Sequence, residues 1–293
     1  MKKRLGPCYI RYFLYLTGNQ LPVKRSFLFA VLFICTHTIN AQVARTPVSA
    51  FYPSLHTYST QFRDAFSFRS NSAALARLPH FSAGVYSERR FLLEELSSYA
   101  VAAALPTSSG AFGVKGDYYG GQAYRETTLG LVYGRSLGEK VAVGLGFDYV
   151  SQNAAGYGAA SALTFDAGAI FQVTDVLQTG IHVHNPVGMK MGKTGEEKLP
   201  AIYSVGLGYD VSPQFFIGAE AVKTEDHPVS INAGIHYAFV DKLIARGGIS
   251  SATSVYFIGF GVKFKSFRLD ATASFHPYLG TTPGLLFIYL PKK

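Results

Sequence analysis

The sequence predicts an all-β protein, a transmembrane antiparallel up-and-down β-barrel of about 14 strands with a short N-terminal plug segment. Three observations carry this. From Phe81 onward the chain repeats short segments in which large apolar residues alternate with small or polar ones. Charged residues make up only 15% of 293 residues while aromatics reach 14%, yet no run of 18 apolar residues in the predicted mature chain would make a membrane helix. The connections also alternate between short and longer, as they do in barrels that cross an outer membrane with turns on one rim and loops on the other.

The N-terminus reads as an export signal over residues 1–41. Lys24 and Arg25 precede an apolar core from Phe27 to Cys35, and Ala41 precedes a cleavage point before Gln42. Residues 1–22 are an extension that a signal starting at Val23 does not need. The leader holds Lys2, Lys3, Arg4, Arg11, Lys24 and Arg25 and no acid, so the net charge of +9 falls to 21 basic against 18 acidic residues once it is gone. That balance is no footprint for nucleic acid. Cys8 and Cys35 both lie in the leader, so the mature chain is predicted to lack disulfides, thiolate metal sites and cysteine nucleophiles.

Residues 42–80 show no sustained period of two and read as a periplasmic or plug segment. Within it "SNSAALARL" suits a short helix capped by Ser70 or Asn71. Phe62, Phe66, Phe68, Leu75 and Leu78 require burial, and the small inward residues of the strands leave room for an insert. Residues 81–293 form the barrel. Its strands are expected at 81–91, 97–105, 110–118, 126–135, 140–152, 161–173, 177–185, 201–210, 214–223, 228–238, 243–250, 254–264, 267–276 and 283–290. Pro228 and Pro283 fall at first positions, where proline is tolerated.

The alternation assigns faces. In 141–150, Val141, Val143, Leu145, Phe147 and Tyr149 point to lipid, and Ala142, Gly144, Gly146 and Asp148 point inward. Leu207 lies on the lipid face of its strand and Gly208 on the inner one, so arginine at Leu145 or Leu207 should impair assembly while serine at Gly146 or Gly208 should be mild. A soluble sandwich would carry Lys and Glu on its outer face, and these faces carry almost none. The polar candidates for the lumen are Asp148, Asp166, His182, His184, Glu220, His236, Arg246, Arg268, Asp270 and His276. A three-residue turn at 174–176 pairs Asp166 with His184 and brings His182 near them. Such a group could be a metal or proton site, or a hydrogen-bonded lining of the lumen; the simpler lining is expected, with no cofactor or metal assigned. "GLGYD" and "GFGVKF" are glycine alternation within strands and not phosphate loops, and no nucleophile motif or triad spacing indicates an enzyme. The charged stretch 188–199 reads as a flexible solvated loop.

A signal peptide, an N-terminal Asn-x-Ala-x-Leu stretch and about fourteen strands together resemble the long-chain fatty-acid transporter (FadL) superfamily. Within it, the chain is similar in character to the PorV/PorQ-like barrels of Bacteroidota that serve type IX secretion, and "INAQ" resembles cleavage sites of that phylum. The family's Asn-Pro-Ala hatch element corresponds here to Asn71, Ala73, Ala74 and Leu75, with Ser72 where the family carries Pro. The resemblance implies a non-enzymatic transport or secretion accessory in the outer membrane of a Gram-negative bacterium; the even strand count places both termini on the short-turn rim, which is expected to be periplasmic. It implies outer-membrane lipid and secretion machinery or other outer-membrane proteins as partners. The alternative function is a FadL-like diffusion channel for small hydrophobic or polar solutes.

Overall fold

The computed structural model describes residues 53–192, 197–240, 242–251 and 254–291. The expected signal peptide and residues 42–52 lie outside them. The barrel opens with β1 (Ser82–Arg89), β2 (Ser97–Thr107), β3 (Gly110–Gly120), β4 (Tyr124–Leu137), β5 (Val141–Ala154), β6 (Gly158–Gln172) and β7 (Leu177–His184). Two short strands, β8 (Lys190–Met191) and β9 (Glu197–Lys198), pair with each other inside the longest connection. The wall resumes with β10 (Ile202–Ser212), β11 (Phe215–Thr224), β12 (Ser230–Val240), β13 (Leu243–Ser250), β14 (Val255–Phe264), β15 (Phe267–His276) and β16 (Gly280–Tyr289).

Fourteen of these close into one antiparallel barrel in which each strand pairs with its chain neighbour, β7 with β10, and β16 with β1 through Val85↔Phe287. Closure leaves no open edge, which is what a wall in lipid requires because hydrocarbon offers no partner to a free N–H or C=O. Each expected strand is present. The differences lie at the ends: β4, β5 and β6 run on through residues read as loops, with Tyr124↔Ala154 and Ala154↔Gly158 still in register. Pro283 lies inside β16 and Pro106 inside β2, not at first positions or beyond a strand. Both sit past the ends of the ladders with β1, which stop at Glu88↔Gly284 and Ser82↔Ala104. Their missing N–H therefore costs no bond on that side.

The faces alternate as the sequence requires. Along β5, Leu145 is 53% and Phe147 66% exposed, while Ala142, Asp148 and Val150 are buried. The outward aromatics pair across strands, as in Phe267–Phe287 and Tyr256–Phe275, each with ring centroids 5.3 Å apart.

Residues 55–78 lie inside the barrel and hold much of its buried core: Leu55, Tyr58, Phe62, Phe66, Phe68, Leu75 and Leu78. They fold as a single helical turn, α1 (Pro53–His56), and two 3-10 turns, Ser67–Arg69 and Ser72–Arg77. Asn71 is the N-cap of the second, its side chain accepting from the Ala73 N–H at 3.0 Å.

The connection 186–200 departs from a solvated loop in its described parts. Asn185, at φ 51, turns the chain off the wall and donates from Nδ2 to the Leu199 carbonyl at 2.6 Å. Met191 is buried against Val150 and Ala162. The sequence reading missed this because two methionines among lysines and glutamates hardly change the local polarity.

The facing predicts a sharp asymmetry at one position. Leu145→Arg places a charge on the lipid face at a cost of roughly 2–4 kcal/mol near the midplane, and Leu145→Phe places none. We expect the arginine variant to lose heat-modifiable gel migration and the phenylalanine variant to keep it. Equal behaviour would contradict the facing.

Candidate functional site

The site is the contact between the inserted segment and the inner wall. Its shape comes from absent side chains. A Cβ at Gly144 would lie 2.3 Å from the Ser72 carbonyl carbon, and one at Gly168 2.1 Å from Asn71 Oδ1. A Cβ at Gly206 would lie 1.9 Å from the Tyr58 ring, one at Gly208 2.3 Å from the Tyr58 carbonyl oxygen, and one at Gly234 2.3 Å from Leu55. All are below any distance that real Cβ atoms adopt. These five inward glycines are thus the imprint of residues 55–72 on the wall. This overturns the expectation that serine at Gly208 is mild, because the new Cβ meets plug backbone; at Gly146 it lies 2.4 Å from Asp166 Oδ2, so that carboxylate must shift to admit it.

Polar contacts fix the register of the plug. Asn71, fully buried, caps its own turn with Oδ1 and donates from Nδ2 to the Ile181 carbonyl on β7 at 3.0 Å. Ala73, Ala74 and Leu75 beside it are also fully buried. The Ser59 hydroxyl and the Thr60 N–H and hydroxyl all donate to Asp210 on β10 at 2.7 Å. Arg69 pairs with Asp117 on β3. On the opposite wall, Asp64 accepts from Arg268 at 2.5 Å. Arg268 and Arg246 both reach Asp270 Oδ2, at 2.9 and 3.0 Å, and Arg246 Nε donates to His236 Nδ1 at 3.0 Å. His236 Nδ1 lies 2.9 Å from His56 Nε2. Since that Nδ1 already accepts from arginine, His56 must supply the proton of the His–His bond. Asp270 leans over Gly261, where a Cβ would lie 2.0 Å from its Oδ1. Breaking such a buried network by removing one partner typically costs about 3–5 kcal/mol, because a charge is left uncompensated.

The structure thus splits the lumen-facing candidates into groups. His236, Arg246, Arg268 and Asp270 form the network that grips the plug. Asp148, Asp166, His182 and His184 form a second group on β5, β6 and β7, with Asp166↔His184 in register. Glu220 is buried on β11 and raises the Tyr58 phenol, whose main shift upward comes from burial. His276 joins neither group: it is half-buried, and its Nδ1 accepts from the Tyr278 and Leu279 N–H groups at 3.2 and 3.1 Å, closing the β15–β16 turn. Sequence reasoning missed Asp64, Arg69, Lys115 and Asp117. Lys115 and Asp117 were detectable, being lone charges on the inner side of a strand whose other side is Phe112, Val114 and Tyr118.

The fold is a closed fourteen-strand antiparallel β-barrel, and solved structures share its barrel fold. The chain is similar to the toluene transporter TbuX of Ralstonia pickettii, at 14% identity, 78% of this chain, 94% of that chain and a TM-score of 0.56. It is similar to a FadL homologue of Pseudomonas aeruginosa at 13% identity over 78% and 94% of the two chains, TM-score 0.56. It is also similar to the toluene transporter TodX of P. putida at 12% identity over 81% and 96%, TM-score 0.56. The likeness establishes a FadL-like barrel fold. No protein-family model matches the chain, and no curated protein does.

His56 supplies a pH test of plug docking. Burial, the largest influence, pushes its imidazole from 6.5 down to about 4; Asp64 and, more weakly, Asp270 and Asp210 oppose this, and Arg268 reinforces it. His236 and Arg246 complete its charged surroundings. A docked pKa below the free value means docking is independent of this group above about pH 6.5. As pH falls from there towards 4, the free segment gains a proton that the docked one excludes, and docking weakens. The chain has no tryptophan, so Phe62→Trp, with its ring beside His236, reports docking by fluorescence. We expect a red shift between pH 6.5 and 4 that is much reduced with His56→Gln. Emission unchanged over that range would contradict the assignment.

Proposed function

We propose that this protein is a non-enzymatic outer-membrane channel of FadL-like construction, passing small solutes and held shut by residues 55–78. The observation that carries the reading is the plug. A barrel of this strand number can leave an aqueous lumen, and here the space is filled by a segment joined to the wall through side-chain hydrogen bonds, ion pairs and close packing. The segment contributes no strand to the wall, so barrel closure does not depend on it. The similarity to TbuX and TodX supports passage as the role and small molecules as the cargo. The inner wall, lined by Asp148, Asp166, His182, His184 and Glu220, favours solutes that accept or donate hydrogen bonds over purely apolar ones. The secretion-accessory reading rests on the PorV/PorQ-like character of the sequence. Co-purification of secretion components from native outer membrane would favour it.

Deleting residues 53–78 behind an intact export signal tests the channel reading. In planar bilayers the intact protein should conduct little and the deletion several-fold more. A large conductance in the intact protein would contradict the plug as the closing element, and a small one in both would mean a wall packed by its own side chains and a scaffold role. Orientation follows separately from Tyr157→Cys, at a 94% exposed site in the β5–β6 connection. An impermeant maleimide should label it on intact cells; labelling only after outer-membrane rupture would reverse the topology.

A further inference from the structure

Lys115 on β3, Asp148 on β5, Asp166 on β6, and His182 and His184 on β7 meet on the inner wall without touching the network that grips the plug. The register Lys115↔Gly130↔Asp148 and Gly146↔Asp166↔His184 brings them level across five strands. Two glycines let the carboxylates lie flat and converge: a Cβ at Gly130 would lie 2.1 Å from Asp148 Oδ1, and one at Gly146 2.4 Å from Asp166 Oδ2. Lys115 Nζ sits between them, 3.0 Å from Asp148 Oδ2 and 3.2 Å from Asp166 Oδ2. His182 Nε2 is 3.3 Å from Asp166 Oδ1, and His184 Nδ1 is 3.7 Å from Asp148 Oδ2. One ligand atom from each of Asp148, Asp166 and His184 lies within 4.8 Å of the other two.

Two features show that the site holds less positive charge than it can accept. Two carboxylates face one ammonium, leaving the group at −1 with neutral imidazoles. Asp148 Oδ1 is also buried without a hydrogen-bond partner among the described residues, although an orphaned carboxylate oxygen is costly.

We propose that Asp148, Asp166 and His184, with His182 alongside, form a binding site for a first-row divalent metal ion such as Zn²⁺, at the position where the Lys115 ammonium now sits. Mixed imidazole and carboxylate donors suit zinc and its neighbours, whereas calcium and magnesium take oxygen alone. Zinc bonds these donors at about 2.0–2.2 Å, so the two carboxylates, now 3.0 and 3.2 Å from the ammonium nitrogen, must draw inward by roughly an ångström, within reach of small torsional changes. Bidentate coordination by Asp148 would also engage Oδ1, the oxygen the ammonium does not serve. Lys115 stays protonated and swings on its four-carbon stem towards the lumen. It acts as a tethered competitor, and its removal should tighten metal binding.

The test uses the full-length barrel purified in detergent and stripped with a chelator. Zn²⁺ binding is read by titration calorimetry and Co²⁺ binding by visible absorption. We expect one Zn²⁺ per wild-type barrel, at least tenfold tighter binding in Lys115→Met, at least tenfold weaker binding when His184→Ala is added to either background, and no competition from Mg²⁺. Lys115→Met leaves two carboxylates facing each other, so its assembly is scored by heat-modifiable migration with and without Zn²⁺. Assembly that requires Zn²⁺ supports the site. If the variant assembles under neither condition, wild type against His184→Ala decides. The proposal is overturned if neither wild type nor Lys115→Met binds one equivalent, if Lys115→Met binds no tighter, or if His184→Ala leaves affinity unchanged. None of these readouts depends on conductance, so the outcome is independent of whether the barrel passes solutes.

Discussion

The structure depends on the fit between one irregular segment and a row of glycines. Gly144, Gly168, Gly206, Gly208 and Gly234 each stand where a Cβ would overlap Ser72, Asn71, Tyr58 or Leu55. A glycine in a strand weakens it, because it adds no packing and loses more chain entropy on folding. In this wall the weakening is offset by what occupies the vacated volume. The phenylalanines of the plug bury their surface against the barrel, at about 25 cal/mol per Å² of apolar area removed from water. The fourteen-strand ladder supplies closure, and the plug supplies much of the interior.

Charge then divides the inner wall into two regions of different character. Around the plug, arginines on β13 and β15 are neutralised by Asp270 and by the plug's own Asp64, and His236 hands the network on to His56. That network has two partners in the plug, Asp64 and His56, and the rest in the wall, so it is complete only when the plug is docked. The β3–β7 group consists of wall residues alone. Its ion pairs run between wall side chains and take no partner from the plug.

The strands were legible because lipid on one side and a polar lumen on the other impose a strict period of two, and because turn and loop lengths alternate with strand parity. The pairing of Asp166 with His184 was legible for the same local reason: a three-residue turn sets the register of β6 against β7. Asn71 as a cap was legible from the residues that follow it. The glycines were read as empty space, and only partly correctly. That Gly208 faces the Tyr58 backbone and Gly146 the Asp166 carboxylate depends on contacts between residues up to 150 positions apart, which no local pattern encodes. Asp64 and Arg69 escaped for that reason too, since each lies in the irregular segment and finds its partner on a strand distant in sequence.

The central claim is that residues 66–78 are packed in the lumen as firmly as the wall around them. Hydrogen–deuterium exchange on the purified, intact barrel tests it most directly. The Phe66, Ser67, Ala73, Ala74 and Leu78 amides, which donate to Asp64, Asn71 and Leu75, should exchange on the slow timescale of β4 and β5. Exchange of these amides as fast as those of the exposed Ser108–Ser109 turn would contradict the account.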